Sequence, residues 1–377
     1  MTPSLQLDHP TRAVVSLPAF RKNLGLVRAH VGDAVKIMAI VKANAYGHGA
    51  VRLAAEAINN GAEYLGVARV FEGIELRDAG IAAKTLVFEV VPRGEEEAAI
   101  ANDLELTIVD VDGAKRLNDA ARRIGKKAKV HAKVDTGMGR LGTDHRQAAS
   151  TIETAARLPH VEFTGIYSHF ATSDDPDMSF AREQLQRFQA VLEELQQLKV
   201  YTGLRHMANS GAILTMPDSY FDMVRPGIMI YGYPPRRGMG SKGLLTPVLS
   251  LISNVAMVKL VDANTSISYN RRYFTRTKTC IATIPIGYAD GFFRLLTNRA
   301  EAIIEGKRYP VVGTVCMDHI MVDIGESERV RQGDDVVLIG REGSEAIDSW
   351  DIAEKVGTIP YEVTCLITQR VPRIYTE

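Results

Sequence analysis

A lysine near the start of the chain stands directly after an apolar run, in a position suited to covalent chemistry. The run is Val35–Val41, and Lys42 follows it, with Tyr46 four residues later. A lysine at the end of an apolar strand is partly desolvated, which lowers the pKa of its amine and suits it to imine formation. A lysine that only extends its charged end into solvent would look the same on this stretch alone.

Polar residues also follow later apolar runs, and each has an ordinary structural reading when taken alone. Glycines can simply make turns, a histidine can be a satisfied core residue, and an arginine can form a surface ion pair. In chain order they are Arg69, Asp135–Gly142 with Arg140, Ser168–Phe170 with His169, and Asn209–Gly211 with Ser210, and the last apolar run itself contains Arg225–Ile228. A lysine opposite arginines and a glycine- and serine-rich phosphate site points to pyridoxal 5'-phosphate.

The elements that must position these residues are eight strand-like runs, which alternate with amphipathic helical segments such as Val51–Ile58 and Phe180–Leu198. The runs are Val35–Val41, Tyr64–Ala68, Thr85–Val90, Leu106–Val109, Lys129–Val134, Phe163–Tyr167, Leu204–Met207 and Met223–Tyr231. Eight such repeats predict an α/β fold, a (β/α)8 TIM barrel, whose catalytic residues lie at the carboxyl ends of the strands. An open doubly wound sheet would also alternate, but no G-x-G-x-x-G turn follows the first strand.

The alternation ends at residues 233–243, a basic segment rich in Pro and Gly that reads as a linker. The later runs are short and predict a mostly β C-terminal domain: Leu249–Leu260, Thr279–Ile284, Ala302–Ile304, Val311–Val315, Ile320–Ile324 and Asp335–Ile339. We therefore predict a barrel over residues 11–244 and a β-rich domain over 245–377. Residues 1–10 are free to pack with the second domain.

Composition excludes several classes of protein. The chain has 377 residues, of which 46% are hydrophobic and 24% charged, and its 45 basic residues balance 45 acidic ones. These values are typical of a globular protein and give no reason to expect nucleic-acid or membrane binding. The first fifteen residues lack the apolar core of a signal peptide, so we expect a cytoplasmic protein. Three widely spaced cysteines form neither a disulfide framework nor a metal cluster, so no metal is expected.

Taken together, the motifs resemble those of the alanine racemase family. The segment Ala39–Gly49, which reads AIVKANAYGHG, resembles the family's cofactor-lysine signature. The further matching segments are His131–Gly142, Ser168–Ala171, Ala208–Ser210, Val224–Ile228, Pro285–Gly291 and Cys316–Asp318. The resemblance runs in one order from about Thr11 to Tyr375, which is nearly the whole chain.

The resemblance implies a pyridoxal 5'-phosphate site. Lys42 would bind the cofactor as an imine, Arg140 would donate to its phenolic oxygen, and Arg225 would face the pyridine nitrogen. His169 would pack near the ring and hydrogen-bond to Arg225, with Asn209 supporting the site. The phosphate would be bound by Tyr46, Ser210, Gly227, Ile228 and Tyr361. Because a guanidinium does not readily give up a proton, the ring nitrogen would stay unprotonated, which favours racemisation over transamination.

The resemblance also implies a two-base reaction shared between two subunits. Lys42 and Tyr269 would serve opposite faces of the substrate carbanion, and Tyr269 would reach the barrel of the partner in a homodimer. Arg140, Met317 and Asp318 would contact the substrate, and Tyr288 would help to restrict it to a small amino acid. The implied role is the supply of D-alanine for peptidoglycan. Racemisation of another small amino acid, such as serine, is the alternative.

One position adds a further expectation to this resemblance, and three positions depart from the family pattern. Lys133 falls where some family members carry a carbamylated lysine that positions Arg140. Asn264 and Asn270 stand where the family commonly has glycine, and asparagine tolerates a positive φ. Pro360 replaces a common asparagine before Tyr361. A decarboxylase on the same barrel would need a cysteine-bearing motif that is not found, and a non-enzymatic cofactor-binding protein would need no β domain.

Overall fold

The structure, a computed structural model, describes residues 9–240 and 244–377. These residues divide into two compact units. The barrel unit comprises Phe20–Ala45 and Gly49–Thr246, and the β unit comprises the described residues up to Ala19, Tyr46–His48 and Pro247–Glu377. Residues 1–8 of the predicted N-terminal segment and residues 241–243 of the predicted linker lie outside the described residues.

Within the described residues, eight parallel strands form the wall of the barrel unit. They are β1 Lys36–Ile40, β2 Tyr64–Val67, β3 Lys84–Val90, β4 Glu105–Ile108, β5 Ala128–Asp135, β6 Val161–Tyr167, β7 Leu204–Asn209 and β8 Met223–Arg225. Each pairs with the next, and β8 pairs with β1 to close the cylinder. The predicted (β/α)8 barrel is thus confirmed, because closure of a parallel sheet leaves no unpaired edge.

The eighth predicted strand is too long. It was expected over Met223–Tyr231, but β8 ends at Arg225 and residues Ile228–Tyr231 form a 3-10 turn. Pro226 has no backbone N–H to donate to a neighbouring strand, so pairing stops before it. The apolar residues of the turn remain buried, which explains why the sequence reads as one continuous run.

Helices separate the barrel strands, as the apolar periodicity predicts. The helix Leu17–Val31 precedes the first strand, and those between strands are Ala50–Asn59, Val70–Asp78, Glu96–Ala101, Val111–Arg123, Ala148–Ala156, Ser179–Gln197 and Ser210–Thr215. The helix Ala50–Asn59 buries Leu53 and Ala57 on one face, with exposed residues on the other. This spacing of four residues places apolar side chains on the stripe that packs against strands.

The β unit is built on one large sheet with its own apolar core. Its strands are Arg12–Ser16, Leu249–Asn254, Met257–Val261, Thr279–Ile284, Glu301–Ile304, Lys307–Val312, Ile320–Gly325, Asp335–Glu342, Glu345–Ile347 and Arg373–Thr376, and a separate two-stranded ribbon joins Ser266–Ile267 to Tyr273–Phe274. Its helices are Ser349–Val356 and Pro360–Cys365. The predicted mostly β character is confirmed.

Two predicted runs of the β unit differ from the strands observed. The run Leu249–Leu260 is two strands, Leu249–Asn254 and Met257–Val261, which pair with different neighbours. The run Val311–Val315 is shifted, because the strand there is Lys307–Val312. Short apolar runs do not reveal where a chain changes its pairing partner.

Among the described residues, no helix is both long and apolar enough to span a membrane.

Candidate active site

Lys42 stands just beyond the carboxyl end of β1, where the backbone turns sharply. The three residues after it, Ala43 to Ala45, have φ near +52° and ψ near +50°, and Tyr46 continues with φ +53°. Left-handed angles are unfavourable for residues with a Cβ, by roughly 1–2 kcal/mol each. A run of them marks a turn that its surroundings must stabilise.

Glu72 is one of the groups that stabilise this turn. Its Oε1 accepts a hydrogen bond from the backbone N–H of Ala43 at 2.7 Å, and its Oε2 accepts from the N–H groups of Ala68 at 2.7 Å and Arg69 at 3.0 Å. One carboxylate therefore ties the residue after Lys42 to the end of β2. From the sequence alone, Glu72 reads only as an acidic residue in the first turn of a helix, so its contact with this turn was not predicted.

Arg225 ends β8 and is 3% exposed. Its Nη1 donates to Nδ1 of His206 at 2.8 Å, and its Nη2 donates to the carbonyls of Ser168 at 2.7 Å and Met207 at 2.9 Å. Burial lowers the pKa of Arg225 to about 10, so the guanidinium remains charged at neutral pH. Its orientation is fixed by strands β6 and β7.

His169 lies beside Arg225, with its Nδ1 3.3 Å from Nη2 of the guanidinium. Burial and the charge of Arg225, followed by that of Lys133, lower the pKa of His169 well below its ordinary value. His169 is therefore neutral at physiological pH, and its Nδ1 accepts the hydrogen bond from the guanidinium.

Ser210 begins the helix that follows β7. Its Oγ accepts hydrogen bonds from the N–H of Gly227 at 2.9 Å and of Met229 at 3.4 Å, which leaves the hydroxyl proton to donate. Asn209 caps the same helix by accepting from the N–H of Ala212 at 3.0 Å. The end of β7 and the turn after β8 thus bring hydroxyl and backbone groups together, and Ile228 directly follows Gly227.

Lys133 lies inside the barrel near the carboxyl end of β5 and is 5% exposed. Its Nζ is 5.0 Å from the centre of the Tyr167 ring and donates to the carbonyl of Val134 at 3.3 Å. Burial, and then the charges of Arg225 and Arg140, lower the pKa of this amine well below its ordinary value. Lys133 is consequently an amine that is readily neutral.

Arg140 is exposed on the loop after β5. The carboxylate of Asp135 accepts hydrogen bonds from the N–H groups of Gly137 at 2.9 Å, Met138 at 2.9 Å and Gly139 at 3.1 Å. Gly137 has φ +133° and Gly139 has φ +68°, angles that a side chain would oppose. Asp135 therefore sets the path of the loop that presents Arg140.

The remaining candidates belong to the β unit. Tyr269 is 69% exposed, Tyr288 42% and Met317 52%. Tyr269 begins a 3-10 turn, and its carbonyl accepts from the Thr314 hydroxyl at 2.8 Å. Asn264 and Asn270 both have positive φ, at 62° and 61°, so asparagine does fill these two left-handed positions.

Two contacts inside the β unit involve further candidates. The rings of Tyr46 and Tyr361 lie 5.8 Å apart, centre to centre. Oδ1 of Asp318 accepts a hydrogen bond from Arg370 at 2.8 Å, and Arg370 also approaches Asp290 at 3.3 Å. Arg370, which the sequence analysis did not select, thus fixes the carboxylate of Asp318.

Metal chemistry has no obvious ligands here. Across the described parts of the chain, no group of three or more His, Cys, Asp or Glu side chains could hold a metal ion.

Comparison with known proteins connects this geometry to one family. Residues 15–235 match the family model described as "Alanine racemase, N-terminal domain", and residues 248–375 match "Alanine racemase, C-terminal domain". The chain is 46% identical over 367 residues to "Alanine racemase 2" of Caldanaerobacter subterraneus subsp. tengcongensis, covering 97% of this chain and 95% of the relative.

Solved structures agree. Alanine racemase from Clostridium difficile 630 superposes with a TM-score of 0.94 at 37% identity, covering 98% of this chain and 97% of that one. The enzyme from Bartonella henselae "with covalently bound pyridoxal phosphate" superposes with a TM-score of 0.87 at 29% identity, covering 98% of this chain and 100% of that one.

Proposed function

This chain belongs to the alanine racemase family of pyridoxal-phosphate-dependent isomerases, and from that premise we propose that it interconverts L-alanine and D-alanine with Lys42 and Tyr269 as its two bases. The observation that carries the proposal is the placement of a lysine, a buried arginine and a serine hydroxyl after β1, β8 and β7 of one parallel barrel. The carboxyl ends of these strands form a single mouth, where barrel enzymes have their active sites.

The residues of the barrel unit fit pyridoxal 5'-phosphate by their chemistry. A primary amine at Lys42 suits the aldehyde, and the Ser210 hydroxyl with nearby backbone N–H groups suits a phosphate. The Arg225 guanidinium, already fixed by donated hydrogen bonds, suits a pyridine nitrogen that only accepts. Gly227 and Ile228 are proposed to join Ser210 at the phosphate, together with Tyr46 and Tyr361, and Asn209 to support them.

The cofactor, when bound, withdraws electrons from the substrate and makes its Cα proton acidic. On our proposal, Nζ of Lys42 takes or returns this proton on the face that yields D-alanine, and Oη of Tyr269 does so on the opposite face. Two bases are needed because a single side chain cannot reach both faces of a planar carbon held in place. Each residue is therefore the acid for one direction of the reaction and the base for the other.

The other site residues orient the reactants. Arg225 keeps its proton and so leaves the facing nitrogen unprotonated, which discourages transfer of the amino group. Neutral His169 supports Arg225 from the side. Arg140 would donate to the phenolic oxygen of the cofactor and to the substrate carboxylate.

A small substrate follows from the residues proposed at the entrance. Tyr288, Met317 and Asp318 would contact or confine the amino acid, and Tyr361 would narrow its access. Comparable turnover of lysine or arginine would contradict this size limit. Serine is the second candidate substrate, since it exceeds alanine by a single hydroxyl, and Pro360 stands next to the entrance tyrosine.

Lys133 is proposed to carry a carbamate. A neutral buried amine adds CO2 and releases a proton, and the product is an anion that the nearby Arg140 and Arg225 would stabilise. A 13C NMR spectrum of the protein in solution, equilibrated with 13C-labelled CO2, should show the signal of a carbamate carbon. A Lys133→Ala protein provides the blank, and equal spectra for the two proteins would refute the modification.

The active unit is proposed to be a homodimer in which Tyr269, Met317 and Asp318 complete the partner's site. Exposure of Tyr269 and Met317 on the β unit supports this arrangement, because both side chains are accessible to a second subunit. The product D-alanine would serve the synthesis of peptidoglycan.

The test is the reaction of L-alanine in D2O, followed by chiral separation. A two-base enzyme should release D-alanine carrying deuterium at Cα, with slower labelling of the remaining L-alanine. Tyr269→Phe and Lys42→Ala should each lower kcat by about a hundredfold to ten-thousandfold, the usual contribution of an acid–base residue. Tyr201→Phe, at an exposed tyrosine of the barrel unit, is the control. Labelling without D-alanine, or equal rates for Tyr269→Phe and wild type, would overturn the proposal.

A further inference from the structure

Four polar side chains form a continuous line of hydrogen bonds through the interior of the barrel. Nη1 of Arg225 is 2.8 Å from Nδ1 of His206, Nε2 of His206 is 2.9 Å from Nδ1 of His131, and Nε2 of His131 is 2.6 Å from Oε2 of Glu105. We call Arg225, His206, His131 and Glu105 the interior chain. It runs from the last residue of β8, at the mouth, to the first residue of β4, at the opposite end.

All four members are buried. Glu105 is 2% exposed, Arg225 is 3% exposed, and both histidines are fully buried. The interiors of such barrels are usually filled by branched apolar side chains. A line of polar groups in that place requires a reason, because each member is costly to bury unless its hydrogen bonds are complete.

The positions of the protons along the interior chain follow from its two ends. A guanidinium can only donate, so Nδ1 of His206 accepts and the proton of this ring is on Nε2. That N–H donates to Nδ1 of His131, which places the second ring's proton on Nε2 as well. The carboxylate of Glu105 can only accept, and it receives this last proton. When both imidazole rings are neutral, this is the only placement of their protons that lets every member of the interior chain form its hydrogen bonds.

Neighbouring groups keep the interior chain in this state. Thr164 donates a second hydrogen bond to Oε2 of Glu105 at 3.0 Å. Burial raises the pKa of Glu105, but the hydrogen bonds from His131 and Thr164 outweigh it, and the pKa lies below its ordinary value. Burial, and then the charge of Arg225, lower the pKa of His206 well below its ordinary value. The chain thus joins a cation and an anion through two neutral rings.

The backbone is adapted to the interior chain. A Cβ on Gly165 of β6 would lie 2.2 Å from Nδ1 of His131, so the absence of a side chain there makes room for the ring. On the other side, the Tyr167 ring stacks on His206 with centres 5.0 Å apart and planes 4° from parallel. The two imidazoles therefore have little freedom to turn away from their partners.

The interior chain connects the buried charge of Arg225 to a carboxylate of opposite charge. In the described parts of the structure, and with Lys133 unmodified, no carboxylate lies within ion-pair distance of Arg225, although the cationic Arg140 and the amine of Lys133 are near enough to influence its surroundings. A buried cation without a counter-charge is unfavourable. Glu105 supplies a negative charge at the far end of the interior chain, away from the mouth where Arg225 lies.

We propose that Glu105 and His131 are positioning residues for Arg225, which hold its guanidinium at the mouth through the directed hydrogen bonds of the interior chain. The proposal rests on the proposed function in one respect, namely that Arg225 faces the ring nitrogen of the cofactor. Weakening the chain should let Arg225 shift and water reach that nitrogen. A protonated ring nitrogen is a stronger electron sink, so transfer of the amino group should increase relative to racemisation.

The first measurement does not depend on activity. Full-length protein labelled with 15N-histidine, free of cofactor, should show both rings as neutral Nε2–H tautomers in two-bond 1H–15N spectra. His206→Gln and His131→Gln proteins assign the signals. The Nε2 proton of His131 should resonate far downfield, as expected for a short hydrogen bond to a carboxylate. A proton on Nδ1 of either ring would overturn the proposal.

Two substitutions of Glu105 distinguish the effect of its negative charge from that of its size and hydrogen-bonding capacity. Glu105→Gln retains an acceptor of nearly the same size but removes the charge, whereas Glu105→Ala removes both. The His131 proton signal should move upfield in the Gln protein and be lost to exchange in the Ala protein. In the protein reconstituted with pyridoxal 5'-phosphate, the ratio of D-alanine formed to pyruvate released should fall about fivefold for Gln and at least about tenfold for Ala. Pyruvate forms as the alanine amino group passes to the cofactor.

Two controls match these variants. Thr164→Val removes the second donor to Glu105 without breaking the interior chain, and Glu56→Gln neutralises a buried carboxylate that pairs with Arg21 instead. Both should leave the product ratio unchanged, even if they lower stability. Glu56→Gln should also leave the imidazole signals unchanged, whereas Thr164→Val should shift only the His131 proton signal, because Thr164 and His131 donate to the same oxygen of Glu105. If Glu105→Gln behaves as these controls do, the positioning role is wrong. If the wild-type spectra are as expected but no alanine is racemised, the proposed function fails and the interior chain stands.

Discussion

Lys42 leads into a run of left-handed residues, and this strain sits where the proposed chemistry takes place. Ala43 is exposed, so its side chain contributes little packing, while its N–H is held by Glu72. The backbone there is stable only because its hydrogen bonds are satisfied. The direction in which Lys42 leaves β1 therefore depends on groups from another helix as well as on its own sequence.

Substitutions at Ala43 should reveal the strain. Ala43→Gly should leave the free energy of unfolding nearly unchanged, since relief of the left-handed strain offsets the greater chain entropy of glycine. Ala43→Val should lower it by about 1–3 kcal/mol, because a β-branched residue is strongly disfavoured at φ +52°. Urea unfolding of both variants measures the difference, and equal stabilities would contradict the strain.

At the scale of elements, loops after the barrel strands carry the candidate residues, and the loop after β5 is held by one carboxylate. Asp135 accepts from three consecutive N–H groups, which places Arg140 at the end of a fixed path. The glycines of this segment provide the required angles but no rigidity, since glycine is the most flexible residue in the unfolded and folded chain alike.

Removal of that carboxylate should affect both stability and substrate binding. Asp135→Ala should lower the free energy of unfolding by about 1–3 kcal/mol, because three loop N–H groups lose their acceptor. It should also raise KM for alanine, since Arg140 would no longer be held. Asp135→Asn retains one acceptor oxygen and should have a smaller effect on both quantities. Steady-state kinetics and urea unfolding are the measurements. An unchanged KM in Asp135→Ala would contradict the claim that Asp135 positions Arg140 for the substrate.

At the scale of the whole molecule, the shared site of the proposed homodimer can be tested by mixing inactive variants. Lys42→Ala and Tyr269→Phe dimers, once exchanged, form mixed dimers in half of the cases, and each would contain one intact site. About one quarter of wild-type activity should therefore return. Sites contained within a single chain would stay inactive after mixing. Mixing Lys42→Ala with a Lys42→Ala, Tyr269→Phe double variant gives the background.

Stability should also depend on pH through the buried histidines. The pKa values of His169 and His206 are lowered in the folded protein, so the unfolded chain binds these protons first as the pH falls. Their contribution is complete above about pH 6.5 and is lost below it, at about 1.4 kcal/mol per pH unit for each histidine. Urea unfolding between pH 5 and 8, about the range in which histidine titrates, should show this slope. His206→Gln should reduce this slope by the share of one histidine, about 1.4 kcal/mol per pH unit, and an unchanged slope would contradict the assignment.

The sequence by itself determined the class of fold and the order of the barrel strands. Apolar runs of strand length alternating with helical stripes leave few other arrangements, because a parallel sheet needs helical crossovers. It also determined that Lys42 and His169 follow strands of the barrel and that Arg225 lies in the last strand, so that all three belong to its carboxyl end. Local preference was enough for the left-handed Asn264 and Asn270 as well.

Only the tertiary structure decided which interior residues meet. Glu105 is 26 residues before His131, which is 75 residues before His206, and the three stand on different strands. Glu105 also lies one residue before the predicted run Leu106–Val109. Alternation along a strand shows which residues point inward, but the stagger between strands decides which of them are level with one another. The same holds for Glu72, which reaches the turn after Lys42 only because β1 and β2 are paired side by side.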